Sequence, residues 1–281
     1  MTTIALFGAA GKIGTRISNR LRHRREFRIY YVESGEPGLA RLKANGLTPT
    51  SAEEACAQAD VAILAVPDTV LGTVAHDVVP HLRPGALVMA LDPAAPHGGE
   101  LPERPDVAYF VVHPCHPPIV NDEVTPEARG DFWGGIAAKQ HIVCALMQGT
   151  ESDYELGEKI ARAMFAPVMN AYRITVEQMA ILEPAMAETV ILTCMFVMKE
   201  AIDEAVRRGV PAEVARAFAL GHMNVNVGIL FGYIDADFSA GAKLAVARAK
   251  EQLLRPDWQR VFEPDNVMAQ VKAITQGRAG G

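Results

Sequence analysis

The stretch Ile4-Ala-Leu-Phe-Gly-Ala-Ala-Gly-Lys-Ile-Gly14, taken together with Tyr30-Tyr31-Val32-Glu33, decides the fold. Ile4 to Phe7 is a short apolar run of the kind that forms a buried parallel strand. Gly8, Gly11 and Gly14 follow at three-residue spacing, and Ile13, Ile17 and Leu21 then recur every four residues along one helical face. The reading is strand, glycine turn, helix. So tight a turn needs residues without a Cβ, and the opening helix offers unpaired N–H groups and a positive dipole end. A pyrophosphate fits there, so Gly8, Ala10, Gly11, Lys12 and Ile13 are expected to hold a dinucleotide. Ala10 stands where the usual second glycine would be, and the flanking strand and helix carry the assignment. Arg28 to Val32 reads as the second strand. Glu33 ends it, about twenty positions after the glycines, where a carboxylate takes the adenosine ribose hydroxyls. A carboxylate there repels a 2′-phosphate, which favours NAD over NADP.

The same alternation continues outward. Ser51 before Ala-Glu-Glu is a capping box that starts a helix. Leu47-Thr48-Pro49 extends the sheet, and Val61 to Val66 is a further strand ended by Val66-Pro67-Asp68. Residues 68–82 pattern as an amphipathic helix with Val70, Leu71, Val74, Val78, Val79 and Leu82 inward, broken by Arg83-Pro84-Gly85. Leu87 to Leu91 and Val107 to Val112 are two more strands. Alternating strands and helices of these lengths make a doubly wound parallel sheet, and ligands sit beyond its carboxyl strand ends. Gly8, Glu33, Val66-Pro67-Asp68, Asp92 and His113 therefore line one crevice. Pro114 to Ala138 is a long irregular loop, and loops of that length inside a domain usually serve function. His141 to Met147 returns as a strand and residues 153–166 as a helix. From Val176 the pattern turns helical, with one long helix over 184–208 that has Pro184 in its first turn, then helices over 211–231, 241–254 and 265–275. The expected fold is α/β: a doubly wound Rossmann domain over 1–172, then an all-α substrate and dimerisation domain over 173–281, with Gly277 to Gly281 fraying.

A chain of 281 residues with formal net charge −6 suits two domains and gives no bulk attraction for nucleic acid or an anionic membrane. Arg16, Arg20, Arg22, Arg24 and Arg25 read as the solvated face of the first helix. Cysteines at 56, 115, 144 and 194 form no CxxC, which is reduced, cytoplasmic usage. The sequence enters a strand at once, so no signal peptide is expected. The apolar run Thr189 to Met198 is too short to span a bilayer. Val190, Ile191, Leu192, Met195, Phe196 and Val197 make the long helix apolar on more than one side. A helix of that kind needs cover on every side, and a small helical domain supplies little, so a homodimer through the helical half is expected.

Chemistry-bearing residues gather at His113-Pro-Cys-His116-Pro-Pro, after a strand end. A histidine there takes a proton from a substrate hydroxyl as hydride leaves, and two histidines three apart with a cysteine between also suit a metal. Glu188 is followed by nine almost wholly apolar residues, and a carboxylate on a helix bound for the core must be paired or bind a metal. Glu183 suits either a site or an acidic helix start. His222, with Asn226 on the same face, reads as structural, and Lys139 as an exposed lysine.

At Gly8 to Gly14, Glu33, Val66-Pro67-Asp68 and His113-Pro-Cys-His-Pro, the amino-terminal half resembles the 6-phosphogluconate and β-hydroxyacid dehydrogenase superfamily. The catalytic lysine which that superfamily carries early in the long helix has no counterpart, since no lysine lies between Lys159 and Lys199. Glu188-Thr-Val-Ile-Leu-Thr-Cys is similar to the metal-binding helix of ketol-acid reductoisomerases, with Pro184 where their earlier acidic ligand stands. Across its whole length the chain resembles the D-apionate oxidoisomerase family. Val112-His-Pro-Cys-His-Pro-Pro, Ala137-Ala-Lys-Gln and Val176-Glu-Gln-Met-Ala-Ile-Leu-Glu-Pro carry that resemblance. It implies NAD-dependent oxidation of a branched sugar acid at C2 and then a metal-assisted ketol-acid carbon shift, of the D-apionate to 3-oxo-isoapionate type. On that implication His113 is the general base, and His116 and Glu188 are catalytic metal ligands. Zinc is favoured because it suits mixed histidine and carboxylate ligands. The alternative is a simple NAD-dependent dehydrogenase of a hydroxy acid, prephenate-dehydrogenase-like or β-hydroxyacid-dehydrogenase-like.

The cofactor reading yields a binding prediction. NAD should bind more tightly than NADP, and Glu33→Gln should narrow that preference by roughly tenfold or more by removing a like-charge repulsion. Calorimetric titration with both cofactors measures the ratio, and equal affinity in the unmutated protein contradicts the reading.

Overall fold

The structure, a computed structural model, describes residues 1–277; residues 278–281, most of the tail expected to fray, lie outside the described residues. Strand β1 (Thr2–Phe7) leads through the glycine turn to α1 (Lys12–Leu21), then β2 (Phe27–Val32), α2 (Glu36–Ala44) and α3 (Ala52–Gln58). Next come β3 (Val61–Leu64), α4 (Asp68–Val78), β4 (Leu87–Ala90), the short α5 (Ala94–His97) and β5 (Ala108–Pro114). The long loop carries only α6 (Pro126–Gly130) before β6 (Gln140–Gln148), α7 (Glu151–Met164) and β7 (Val168–Arg173). The sheet order is β2-β1-β3-β4-β5-β6-β7. β1 to β5 run parallel, as the alternation requires. β6 is antiparallel to β5, because the chain re-enters the sheet from a loop and not from a crossover helix.

Successive strand residues point to opposite faces, and both faces are covered. Ile4, Leu6, Ile63, Met89 and Phe110 pack with Ile17, Leu21 and Ile160 on one side. Ala5, Leu64, Val88 and Val111 pack with Cys56, Leu71 and Ala75 on the other. Each fully buried Leu, Ile or Phe of this set contributes about 1.5–3 kcal/mol.

Several expectations shift. Pro49 makes one bridge to Tyr31 and no strand, since proline donates no ladder hydrogen bond. α4 stops at Val78, a 3₁₀ turn over Val79–His81 follows, and Val70 lies outward at 41% exposure. Contacts divide the chain into one unit of Met1–Glu183 with the residues from Met268 on, and a second of Pro184–Val267. The sequence placed its boundary near 172. β7 and the helix start at α8 (Val176–Ala180) still complete the sheet unit, and so does most of α12 (Pro264–Gln276).

The long helix also begins earlier than Pro184. A capping box between Thr175 and Gln178 starts α8, each side chain accepting from the other's backbone N–H at 3.0 and 3.1 Å. The helix then runs as a wide π segment over Ile181–Leu192 into α9 (Thr193–Arg207). The π winding accommodates Pro184, whose missing N–H and bulky ring oppose an α turn. Thr189 Oγ1 donates to the Pro184 carbonyl five residues back at 2.7 Å. So extended, the helix Val176–Arg207 is long and apolar enough to cross a membrane by length and composition, unlike the shorter run read from sequence. In the second unit α9 packs with α10 (Ala212–Leu230), and α11 (Ala240–Leu253) follows. Phe196, Phe218, Leu230 and Leu253 are each more than 60% exposed.

Candidate active site

The glycine turn is built by close approach. Gly8 has φ +74°, and a Cβ there would lie 2.3 Å from the Ala65 carbonyl oxygen. A Cβ on Gly14 would lie 2.0 Å from the Gly8 carbonyl oxygen, so α1 rests directly on the turn. Gly11 caps α1 with no side chain, which leaves its first N–H groups facing a cavity. Glu33 closes the turn from β2. Its Oε1 accepts from the Ala10 N–H at 2.6 Å, and Gly38 makes room for its other oxygen. Arg41 Nε donates to the Ala10 carbonyl at 3.3 Å. The cradle fits a dinucleotide: donors without partners at a helix start, and no space for a Cβ beneath them.

Two cavities meet at this turn. One, of about 430 Å³, is lined by Gly11, Lys12, Ile13, Val66, Pro67, Asp68, Asp92, His113 and His116, all expected from sequence, together with Trp133 and Glu183. The other, of about 830 Å³, takes Ala10 to Ile13 with Arg16, Arg41 and Trp133. Gly8 and Glu33 buttress the turn from behind.

His113 sits at the end of β5 with its side chain 18% exposed. Its Nδ1 lies 2.9 Å from the Leu91 carbonyl oxygen. A carbonyl only accepts, so Nδ1 carries the proton and, in the neutral ring, Nε2 carries the lone pair. Nε2 is 3.4 Å from Glu183 Oε2. Two acceptors that close call for a proton between them, from the ring, the carboxyl or a bound hydroxyl. Asp92 Oδ2 stands 3.8 Å from Nδ1, while its Oδ1 caps α5 by accepting from the Ala94 N–H at 2.8 Å. Burial raises the Asp92 carboxyl, with His113 pulling it down. Asp68 is pushed up to about 6, first by burial and then by the charge of Asp92. The site thus holds a histidine with a fixed tautomer among three carboxyl groups, a general-base arrangement.

His116 is the one non-glycine residue at positive φ, +60°, among the described residues, and its Nδ1 donates to the Trp133 carbonyl at 2.9 Å. Glu188 belongs to the second unit and is exposed there, so the burial that singled it out is not met within the described chain. Among the described residues no group of three or more His, Cys, Asp or Glu side chains is disposed to hold a metal. His222 donates from Nδ1 to the Phe218 carbonyl and stacks on that ring at 4.0 Å, a structural role. Lys139 pairs with Asp122 on the surface. From sequence Asp92 reads as a crevice-lining strand end without a chemical role, Glu183 is open between a site and a helix start, and Trp133 has no reading at all. Asp92 ends a parallel strand, which was signal enough, whereas Glu183 before a proline also suited a helix start. Arg16 and Arg20 are not a solvated face; both bond the 131–136 loop.

The family described as "Phosphogluconate dehydrogenase (decarboxylating) C-term" matches residues 121–275, and "NADP oxidoreductase coenzyme F420-dependent" matches residues 3–93. The chain is similar to a protein of Cupriavidus necator named D-apionate oxidoisomerase, at 50% identity over 97% of this chain and 99% of that one. It is similar to the protein of that name from Rhizobium rhizogenes, at 51% identity over 98% and 100%. A solved structure from Cupriavidus necator, described as a semialdehyde dehydrogenase NAD-binding protein in complex with calcium and NAD, superposes with TM-score 0.95. It shares 50% identity and covers 98% of this chain and 100% of that one.

The carboxyl cluster yields a stability prediction. A carboxyl raised in the folded state costs stability once pH passes its unfolded value, and the full cost is reached above its folded value. For Asp68 that window runs from 3.8 to about 6. Asp68→Asn should therefore stabilise the ligand-free protein by about 1–2 kcal/mol at about pH 8, after discounting for partial exposure, and by nothing near pH 4. Urea unfolding at both ends checks this, and a difference that does not change with pH contradicts it.

Proposed function

We propose a function from one premise: the chain belongs to the D-apionate oxidoisomerase family. The reaction is NAD-dependent oxidation of a branched sugar acid, D-apionate or a close analogue, at C2, followed by a ketol-acid carbon shift. The observation that carries it is His113, whose Nδ1–H is tied to the Leu91 carbonyl and whose Nε2 opens into the crevice beside Glu183. When bound, NAD supplies the hydride acceptor for C2. His113 Nε2 takes the proton of the C2 hydroxyl, and the imidazolium so formed faces Glu183 and Asp92, which stabilise it. Asp68, raised by burial and by Asp92, completes the acidic lining of the crevice.

The product of oxidation is a 2-oxo-3-hydroxy acid. In the shift the C3 hydroxyl loses its proton, the hydroxymethyl group moves with its bonding pair from C3 to C2, and the C2 oxygen gains a proton. C3 becomes the ketone, and no electron is gained or lost overall. A divalent cation, zinc by preference, is the proposed electrophile on the C2 ketone; when bound it would polarise the ketone and acidify the neighbouring hydroxyl. His116 and Glu188 are the proposed ligands, each to be tested by its own substitution. The described residues assemble no ligand set on their own. The substrate's adjacent oxygens would have to complete the shell.

His113→Gln should lower turnover by about 10²–10⁴ and Glu183→Gln by roughly tenfold, both with NAD affinity retained. Chelation should abolish the rearranged product, and zinc should restore it. Full rearranging activity in the metal-free protein rejects the cation, and an unrearranged oxo acid as sole product favours the simple dehydrogenase.

The assembly proposed is a homodimer through the second unit, in the cytoplasm, where the four free cysteines fit a reducing compartment. Exposed apolar residues lie on α9, α10 and α11 alike. Lipid would cover them but offers no polar contact to the side-chain amides of Asn224 and Asn226 on α10, whereas a second copy's helices offer both apolar and polar contacts. Light scattering at micromolar concentration should give twice the chain mass, and a monomer refutes the assembly.

A further inference from the structure

Between α6 and β6 lies Asp131-Phe-Trp-Gly-Gly-Ile136, a loop the proposed chemistry does not use. Its shape is set by one buried carboxylate. Asp131 is 5% exposed, and its Oδ2 accepts from the backbone N–H groups of Ile136, Ala137 and Ala138 at 2.9, 2.9 and 3.2 Å. Its Oδ1 pairs with Arg16 Nη2 at 3.3 Å. Arg16 also donates to the Gly134 carbonyl at 2.7 Å. Arg20, one turn on, donates from Nε to the Gly135 carbonyl at 2.5 Å and from Nη2 to the Ile136 carbonyl. Both arginines stand on α1, the helix that starts at the glycine turn. Gly134 and Gly135 have φ +73° and +81°, and a Cβ on Gly134 would meet the Gln140 side chain at 2.5 Å.

The loop so ordered exposes Phe132, Trp133 and Ile136, and of these three Trp133, 60% exposed, is the one that faces the cavities at the glycine turn. An indole fixed in water by ion-paired and hydrogen-bonded backbone is an unfavourable arrangement unless something covers it. Trp133 lines both cavities at the glycine turn. The Arg16 guanidinium lies 5.7 Å from its ring centroid, and its carbonyl holds His116.

We infer that Trp133 is a cofactor-contact residue: the bound dinucleotide covers its indole where the two cavities meet, and Asp131, Arg16 and Arg20 are positioning residues that hold it there. The carbonyl that seats His116 belongs to the same residue, so cofactor contact and His116 placement share one support. The inference rests on the NAD reading of the crevice.

The test uses the full chain with Trp258→Phe, which leaves Trp133 as the single emitter. Saturating NAD, which does not absorb the indole emission, should shift that emission to the blue and shield it from acrylamide. Trp133→Ala should weaken NAD binding in calorimetry by about tenfold or more, the size of one aromatic contact, and Trp133→Phe should recover part of it. Asp131→Asn should weaken NAD binding in the same direction. NAD bound at unmutated affinity in Trp133→Ala, or an emission unmoved while calorimetry records NAD bound, overturns the inference alone. No calorimetric NAD binding in the unmutated protein overturns the underlying reading with it.

Discussion

One hydrogen bond underlies the proposed chemistry: His113 Nδ1–H to the Leu91 carbonyl. A backbone oxygen at the end of β4 only accepts, so the ring on the neighbouring β5 must donate from Nδ1 and keep its lone pair on Nε2. The pairing of β4 with β5 sets both partners, so the tautomer follows from sheet register. The proposed base role follows from where that lone pair points. It faces Glu183 across 3.4 Å, and a proton must enter that gap for the pair to be stable.

The surrounding carboxyl groups divide by environment. Glu183 faces the ring's Nε2. Asp92 is split between capping α5 and standing near Nδ1. Asp68, at the first turn of α4, is raised enough by burial and by Asp92 to exchange its proton near neutral pH. Carboxyl groups this close repel one another when charged, and the upward shift of Asp68 and Asp92, led by burial, reflects the cost of assembling them. The crevice at the strand ends supplies that burial, and the same walls form the dinucleotide cradle.

The doubly wound half was legible because its signals are local. Gly8, Gly11 and Gly14 announce a turn by their spacing, and Glu33 announces a strand end. Family membership, read from the His113 and Val176 runs, agrees with the relatives found. Less legible were features set by contacts distant in sequence. Arg16 and Arg20 looked like solvent-facing charge because the carbonyls they bond lie more than 110 residues away. Glu183 stayed open between a site and a helix start because Pro184 follows it, yet the helix begins at a capping box eight residues earlier and winds wide past the proline. Glu188 stood out by an apolar neighbourhood that is apolar in sequence and exposed within the chain. Hydrophobic periodicity reports what must be covered, and it does not say by what.

The central claim is that oxidation at C2 precedes a carbon shift in one crevice. D-apionate carrying deuterium at C2 tests it most directly. The account predicts that deuterium appears on the reduced nicotinamide and that the product, by carbon connectivity in NMR, has its ketone at C3 and its hydroxymethyl group on C2. Deuterium retained in the product, or a 2-oxo acid with the original skeleton, would contradict it.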